Sequence, residues 1–416
     1  MLARQCYTVA GTMGMERPDD APKEAPHFCV AYPREPAMLT RRRFLKKAVC
    51  AASVAGLMET PGSLAASGAG RSDGPSQIKA FCIDFNWAYG KFAPPGHWAD
   101  ASPAQHVAWY EALGANVIQT FAVSCNGYAW YQGGVIPAQP GLRHNFLADV
   151  VNLAHKKGML AMGYFCIGAN SRWGADHPDL SYGTPSKTHI PFTDAYLDYL
   201  ARSMADAMKK TGMDGTMIDW VWNPADFLRA KGWLPAEQRL YTQLTGKKFP
   251  ESGQPAVEDH LEYEQMAINR CWARIKHARD QANRKCILWL TVSDLSKPCI
   301  KNSLLLRESD WVMNESPDPK LYEIGRRMVG SETRMIQNVV GWSNHDAKNF
   351  LADPHNRGLN LYGFAEPGEN SLPLSISEYL HKPVDAFKGK DQLSTNNYNI
   401  AALARFYRGM AMDAVL

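Results

Sequence analysis

The chain has no apolar run approaching the ~20 residues that a membrane-spanning helix needs, so no stable membrane span is expected. It also has little charge of either sign in excess. Lys and Arg number 45 against 41 Asp and Glu, a formal net charge of +4. Five of the cations, Arg41, Arg42, Arg43, Lys46 and Lys47, fall in one N-terminal cluster, which leaves the remainder near neutral and argues against nucleic acid or an anionic membrane as a partner. No Cys-x-x-Cys pair and no Cys/His ligand spacing occurs among the nine cysteines. Cys6, Cys29 and Cys50 precede residue 66, and Cys82 and Cys166 sit inside apolar strand-like runs where a small buried thiol is expected. His97, His144, His177 and His189 lie in loop-like stretches without the spacing of a metal-binding face, so neither a metal nor a cofactor is expected. A glycine-rich phosphate turn is missing after the first strand-like run, which counts against a dinucleotide-binding sheet.

The most specific local feature is Thr40-Arg41-Arg42-Arg43-Phe44-Leu45-Lys46-Lys47, which matches the twin-arginine export signature. A modest apolar run from Ala48 to Met58 follows, then Pro61-Gly62, then the small residues Ser63-Leu64-Ala65 of a cleavage site. Residues 38–65 therefore read as a signal peptide that engages the twin-arginine translocase. Residues 1–37 read as an untranslated or disordered leader, with Met38 as the better start, and 66–77 as a flexible linker. The expected destination is the bacterial periplasm or the cell exterior.

The part after residue 65, about 350 residues, suits one barrel or doubly wound domain. From Ile78 onward, short runs rich in Val, Ile, Phe and Met alternate with longer amphipathic segments, the mark of a parallel sheet with crossover helices. Strands are predicted at 78–86, 116–123, 159–167, 214–221, 286–293, 310–315, 335–340 and 359–365. Eight such units favour a closed (β/α)8 TIM barrel, an α/β single domain spanning 78–416. Helices are predicted over 145–157, ended by Gly158, over 193–211, capped by Thr193, and from Val257 to Arg284. The polar segment 371–397 reads as an insertion on the active-site face or rim, before a final helix at 398–411.

In such a barrel the functional groups sit at the C-terminal strand ends. Those positions hold Asp84 and Asn86, Cys125 and Asn126, Asn170, Asp219 and Asn223, Asp294, Asn314 and Glu315, Asn338, and Glu366. Asp219 and Glu315 end strands four and six, across the mouth from one another. Cleavage of a glycosidic bond with retention needs such a pair, one carboxylate as nucleophile and one carboxylic acid as proton donor. Asp84, Asp294 and Glu366, with Asn126, Tyr164 and Asn223, are expected to bind substrate hydroxyls. All twelve tryptophans follow Gln77, and Trp87, Trp130, Trp173, Trp220, Trp222 and Trp342 fall at or just past predicted strand ends, near Tyr128. Flat rings with polar edges suit the C–H face of a sugar, so a carbohydrate substrate is expected, with about half of these rings serving as core instead.

The run from Gln119 to Tyr131 (QTFAVSCNGYAWY), His155-Lys-Lys-Gly158 before a strand, Tyr164, and Asp214-Gly215 with Asp219 five residues on resemble glycosyl hydrolase barrels related to α-L-fucosidases. The resemblance runs from about 78 to 370 and is strongest over 105–223. It implies a (β/α)8 glycosidase in which the aspartate ending strand four, here Asp219, is the nucleophile. Glu315 as acid/base rests on its place in the barrel and not on a motif. Two other readings stay open on sequence: a metal-dependent sugar isomerase or epimerase, which uses carboxylates at the same strand ends, and a barrel that binds glycans without cleaving them.

Overall fold

The computed structural model describes residues 74–416 apart from 89–90, 185–186, 222–225, 317, 341–345, 367–369 and 390. The segments assigned above to the leader and the signal peptide lie outside the described residues.

Eight parallel strands close into a barrel: β1 (Lys79–Ile83), β2 (Val117–Val123), β3 (Leu160–Cys166), β4 (Gly215–Asp219), β5 (Ile287–Val292), β6 (Trp311–Asn314), β7 (Arg334–Val340) and β8 (Asn360–Ala365). Each pairs with its sequence neighbours, and β1 pairs with both β2 and β8 to complete the ring. All eight fall within the predicted runs to within one residue. They are buried on both faces because side chains pointing in fill the barrel while those pointing out meet helices, which is why β2 reads as the nearly continuous apolar run VIQTFAV.

The outer layer contains α1 (Pro103–Leu113), α2 (Phe146–Lys156), α3 (Asp194–Thr211), α4 (Val257–Ala282), α5 (Leu304–Glu308), α6 (Pro319–Arg326), α7 (Ala347–Ala352) and α8 (Gln392–Tyr407). Ser102 caps α1 by accepting from the Gln105 amide, and Pro103 opens it. Beyond α2, Gly158 takes φ +69, a left-handed turn that costs glycine least. Thr193 occupies the N-cap position of α3, yet its hydroxyl makes no capping bond.

Two regions depart from the expected pattern. Helix α8 starts at Gln392 and not near 398, because Asp391 accepts from the Ser394 amide and caps a first turn that is polar but helical. The segment expected as a rim insertion folds as a short helix, Ile376–Leu380, and a 3-10 turn, Val384–Phe387, packed against α8. Arg405 of α8 holds it there, donating to the carbonyls of Tyr379 and Lys382. It belongs to the outer wall.

Between β4 and α4 the chain makes a long excursion that includes the helix Pro235–Thr245. It is anchored by Arg229, whose guanidinium lies 2.8 Å from Glu237 and 3.0 Å from Glu264, all three buried. Tyr182, on the hairpin before α3, donates to Glu237 at 2.6 Å. Buried charges require such pairing to repay their lost hydration.

At the other end of the barrel the first strand meets the last helix. Lys79 Nζ donates to the Tyr407 carbonyl at 2.7 Å, and the Tyr407 hydroxyl donates to the Ala80 and Leu361 carbonyls. The N-terminal edge of β1 and the C-terminal end of α8 are thus bound together on the face away from the strand C-termini.

Candidate active site

Side chains alternate along a strand, so the carboxylates at the strand ends share a face with residues two positions earlier. Met217 and Asp219 of β4 point inward, as do Met313 of β6 with Glu315 just beyond it, Gln119 and Phe121 of β2, and Tyr362 and Phe364 of β8. Together with Asp84, Asn86, Trp87, Tyr164, Thr291 and Asn338 they line one cavity at the C-terminal end of the barrel, about 410 Å³ including its open mouth. Its floor is polar and bonded: Tyr362 donates to Gln119 Oε1 at 2.7 Å.

Asp219 is held on both oxygens. Tyr164 donates its hydroxyl to Oδ2 at 2.6 Å, and the Trp220 amide donates to Oδ1 at 2.7 Å. The second contact needs a sharp turn directly after the strand, and Trp220 accordingly sits at φ +58, a left-handed conformation that a bulky residue adopts only where its surroundings impose it. Burial pushes the Asp219 carboxyl up to about 6, with the Tyr164 hydroxyl and the Trp220 amide pulling the other way. Glu315 accepts from Thr291 Oγ1 at 2.9 Å. Burial, and next the charge of Asp219, raise it to about 8, against the Thr291 bond. Asp84, whose Oδ1 accepts the Asn86 amide at 2.6 Å, is likewise raised to about 8, by burial first and then by the charges of Glu366 and Asp219. Glu366 is half-buried and also raised by burial. No Lys, Arg or His stands among the described cavity-lining residues to offset these carboxyls.

Of the predicted site residues, the structure brings Asp84, Trp87, Tyr164, Asp219 and Glu315 to this cavity. Trp220 stands at its edge, with ring centroids 6.4 Å from Trp87 and 5.4 Å from Phe92. Trp222, Asn223 and Trp342 lie outside the described residues. Four predicted binders sit elsewhere. Trp130 is 0% exposed and packed on Phe85 at 4.6 Å, because the loop after β2 folds back and bonds the Trp130 amide to the Ala122 carbonyl. Asn126 spends its side chain tying that loop to the segment after β1, accepting from Ser124 and Gln139 and donating to the Ala93 carbonyl. Tyr128 follows it in the same loop, its amide donating to Asn126 Oδ1. Asp294 accepts from the amide and hydroxyl of Ser296, closing a turn after β5. Trp173 is core, stacked on His177 at 4.0 Å. Thr291, Asn338 and Gln119 were not singled out as binders, although the period of two leading to the strand ends marks their direction.

Among the described residues no three His, Cys, Asp or Glu side chains are grouped as a metal site, and no helix is long and apolar enough to cross a membrane.

The family model described as hypothetical glycosyl hydrolase 6 matches residues 102–220, from α1 to the turn after Asp219. No curated protein matches the chain significantly. Among solved structures, α-L-fucosidase isoenzyme 2 from Paenibacillus thiaminolyticus is similar with a TM-score of 0.55 at 13% identity, over 80% of this chain and 49% of that one. The chain thus spans about half the length of that fucosidase. The PgaB (BpsB) glycoside hydrolase domain from Bordetella bronchiseptica is similar with a TM-score of 0.50 at 13% identity, over 70% of this chain and 94% of that one. Over β2 to β4 the chain therefore matches a glycosyl hydrolase family, and its fold is the (β/α)8 barrel found in glycoside hydrolases.

Proposed function

We propose that the protein is a retaining glycoside hydrolase with Asp219 as nucleophile and Glu315 as acid/base. One observation carries the reading: two carboxyls face the same cavity in environments that drive their protonation apart, with Asp219 at about 6 and Glu315 at about 8. Near pH 7 the first is largely ionised and the second largely protonated, the pairing this chemistry requires.

In the first step an Asp219 oxygen bonds to the anomeric carbon as the bond to the leaving oxygen breaks. The Glu315 proton goes to that oxygen, leaving a glycosyl ester on Asp219 and a carboxylate on Glu315. In the second step Glu315 takes a proton from water, whose oxygen displaces Asp219 from the sugar. Tyr164 and the Trp220 amide hold the nucleophile in one orientation throughout. Trp87 and Trp220 offer ring faces for the sugar, and Asp84 with Glu366 engages its hydroxyls. An α-L-fucoside is one substrate consistent with the sequence resemblance, and the twin-arginine signature supports export to the periplasm or beyond.

A panel of aryl glycosides, beginning with α-L-fucoside and α- and β-galactosides, tests the reading. Hydrolysis of one of them with net retention, lost by at least ~10³-fold in Asp219→Asn with the fold intact, is expected. Full turnover in that variant would remove Asp219 as nucleophile.

A further inference from the structure

Six cysteines fall within the described residues, and all are buried thiols. Four are scattered through the core, while Cys125 and Cys166 meet. Cys125 follows β2 and Cys166 ends β3, neighbouring parallel strands whose register places Val123 beside Phe165. Their sulfurs stand 2.9 Å apart. The pair also touches the cavity. Asn86 Nδ2 donates to Cys125 Sγ at 3.1 Å, the Tyr164 hydroxyl lies 3.9 Å from the same sulfur, and Cys166 is register partner to Asp219.

We propose that Cys125 and Cys166 are a disulfide-forming pair beside the cavity wall. Adjacent parallel strands hold Cα atoms within the range a disulfide spans, and the sulfurs need to approach by only about 0.9 Å to reach the bonded distance of about 2.0 Å. The link joins residues 41 apart in sequence, tying the C-terminal ends of β2 and β3 together beside Tyr164 and Asp219. The oxidant is another disulfide, such as oxidised glutathione. One cysteine thiolate displaces a glutathione thiolate and forms a mixed disulfide. The second cysteine then attacks that sulfur and releases the other glutathione, so two protein thiols lose two protons and two electrons and one disulfide becomes two thiols. Asn86 and Tyr164, which contact Cys125, both line the cavity and bring the pair next to its open mouth. The inference does not depend on the glycosidase reading, because its readout is covalent.

The test uses the full chain in two arms. In one, natively isolated protein is incubated with oxidised glutathione; in the other, denatured and reduced protein is refolded in a glutathione redox buffer to its native circular dichroism. Remaining thiols are then alkylated under denaturing conditions and the peptides mapped by mass without reduction. Expected in at least one arm is a linked peptide pair containing Cys125 and Cys166, lighter by two hydrogens than the two thiol peptides, with Cys82, Cys271, Cys286 and Cys299 alkylated. Added dithiothreitol should restore alkylation at both positions. Cys125→Ser should leave Cys166 without a peptide link under every condition, either alkylated or carrying glutathione. Alkylation of both Cys125 and Cys166 in both arms, a link from either to a different cysteine, or a stable glutathione adduct in place of the link would overturn the proposal.

Discussion

Replacing Glu315 with Gln should make the protein more stable in alkali while it abolishes the proposed acid/base. The glutamine keeps an oxygen to accept from Thr291 and cannot ionise. In the folded protein Glu315 holds its proton to about 8, against an ordinary 4.5. Between those values the native state binds more protons than the unfolded chain, so its contribution to stability is intact below pH 4.5 and is lost as pH rises through about 8. Taken at face value, ionisation inside the fold costs up to about 5 kcal/mol at pH 9. The cavity is open to water, which screens the charge, and a cost of about 2–3 kcal/mol is the working figure. A barrel of roughly 340 residues has an unfolding entropy near 0.7 kcal/mol/K, so Glu315→Gln should melt about 3–4 °C above the wild type at pH 9 and level with it at pH 4. Thermal scans of both proteins across that range, followed by circular dichroism, measure the difference. An equal melting temperature at pH 9, or a gap that does not change with pH, would refute the assignment of Glu315 as a buried, high-pKa acid.

Tyr164→Phe removes a hydroxyl that stabilises ionised Asp219, so the acidic limb of the kcat/KM profile should move to higher pH by about one unit; an unmoved limb would separate Tyr164 from the nucleophile. Trp87→Ala, at the cavity wall, should raise KM with little change in melting temperature, whereas Trp130→Ala, in the core, should cost about 3–5 kcal/mol of stability. The reverse pattern would exchange their roles. Because the described lining carries carboxyls and no cation, an aryl uronide should be hydrolysed at least ~100-fold more slowly than the matching neutral glycoside, and equal rates would mean that an unassigned cation enters the site. Changing Arg41 and Arg42 both to Lys should leave the precursor in the cytoplasm, as fractionation would reveal, since lysine does not reproduce the planar guanidinium fork.

The barrel was legible because each of its strands is buried on both faces and appears in the sequence as an apolar run with a polar residue at its end. Asp219 and Glu315 could be found by the same rule. Trp130 shows where the rule stops. Its place beyond the end of β2 predicts a ring at the mouth, but the loop turns back on itself and delivers the ring to Phe85 and Phe146. Nothing in the local residue pattern records that return. Asn126 and Asp294 stand away from the cavity lining for a related reason, because short polar side chains near a strand end bond to neighbouring loops as readily as to a ligand. The start of α8 was placed late because its first turn, Gln392 to Asn397, lacks the apolar spacing that announces a buried face, and Asp391 supplies the signal in its stead. The Arg229 anchor was out of reach altogether. Its partners Glu237 and Glu264 are neighbours in space only after the excursion beyond β4 has folded.

The bond between Lys79 and the end of α8 also settles how this barrel would present itself on a support. Chain entry at β1 lies on the face opposite the cavity. A linker joined ahead of β1 would therefore tether the barrel by its base with the mouth turned toward the surrounding fluid. Such a geometry would let an immobilised form meet long or branched polymers head-on, without the support crowding the approach.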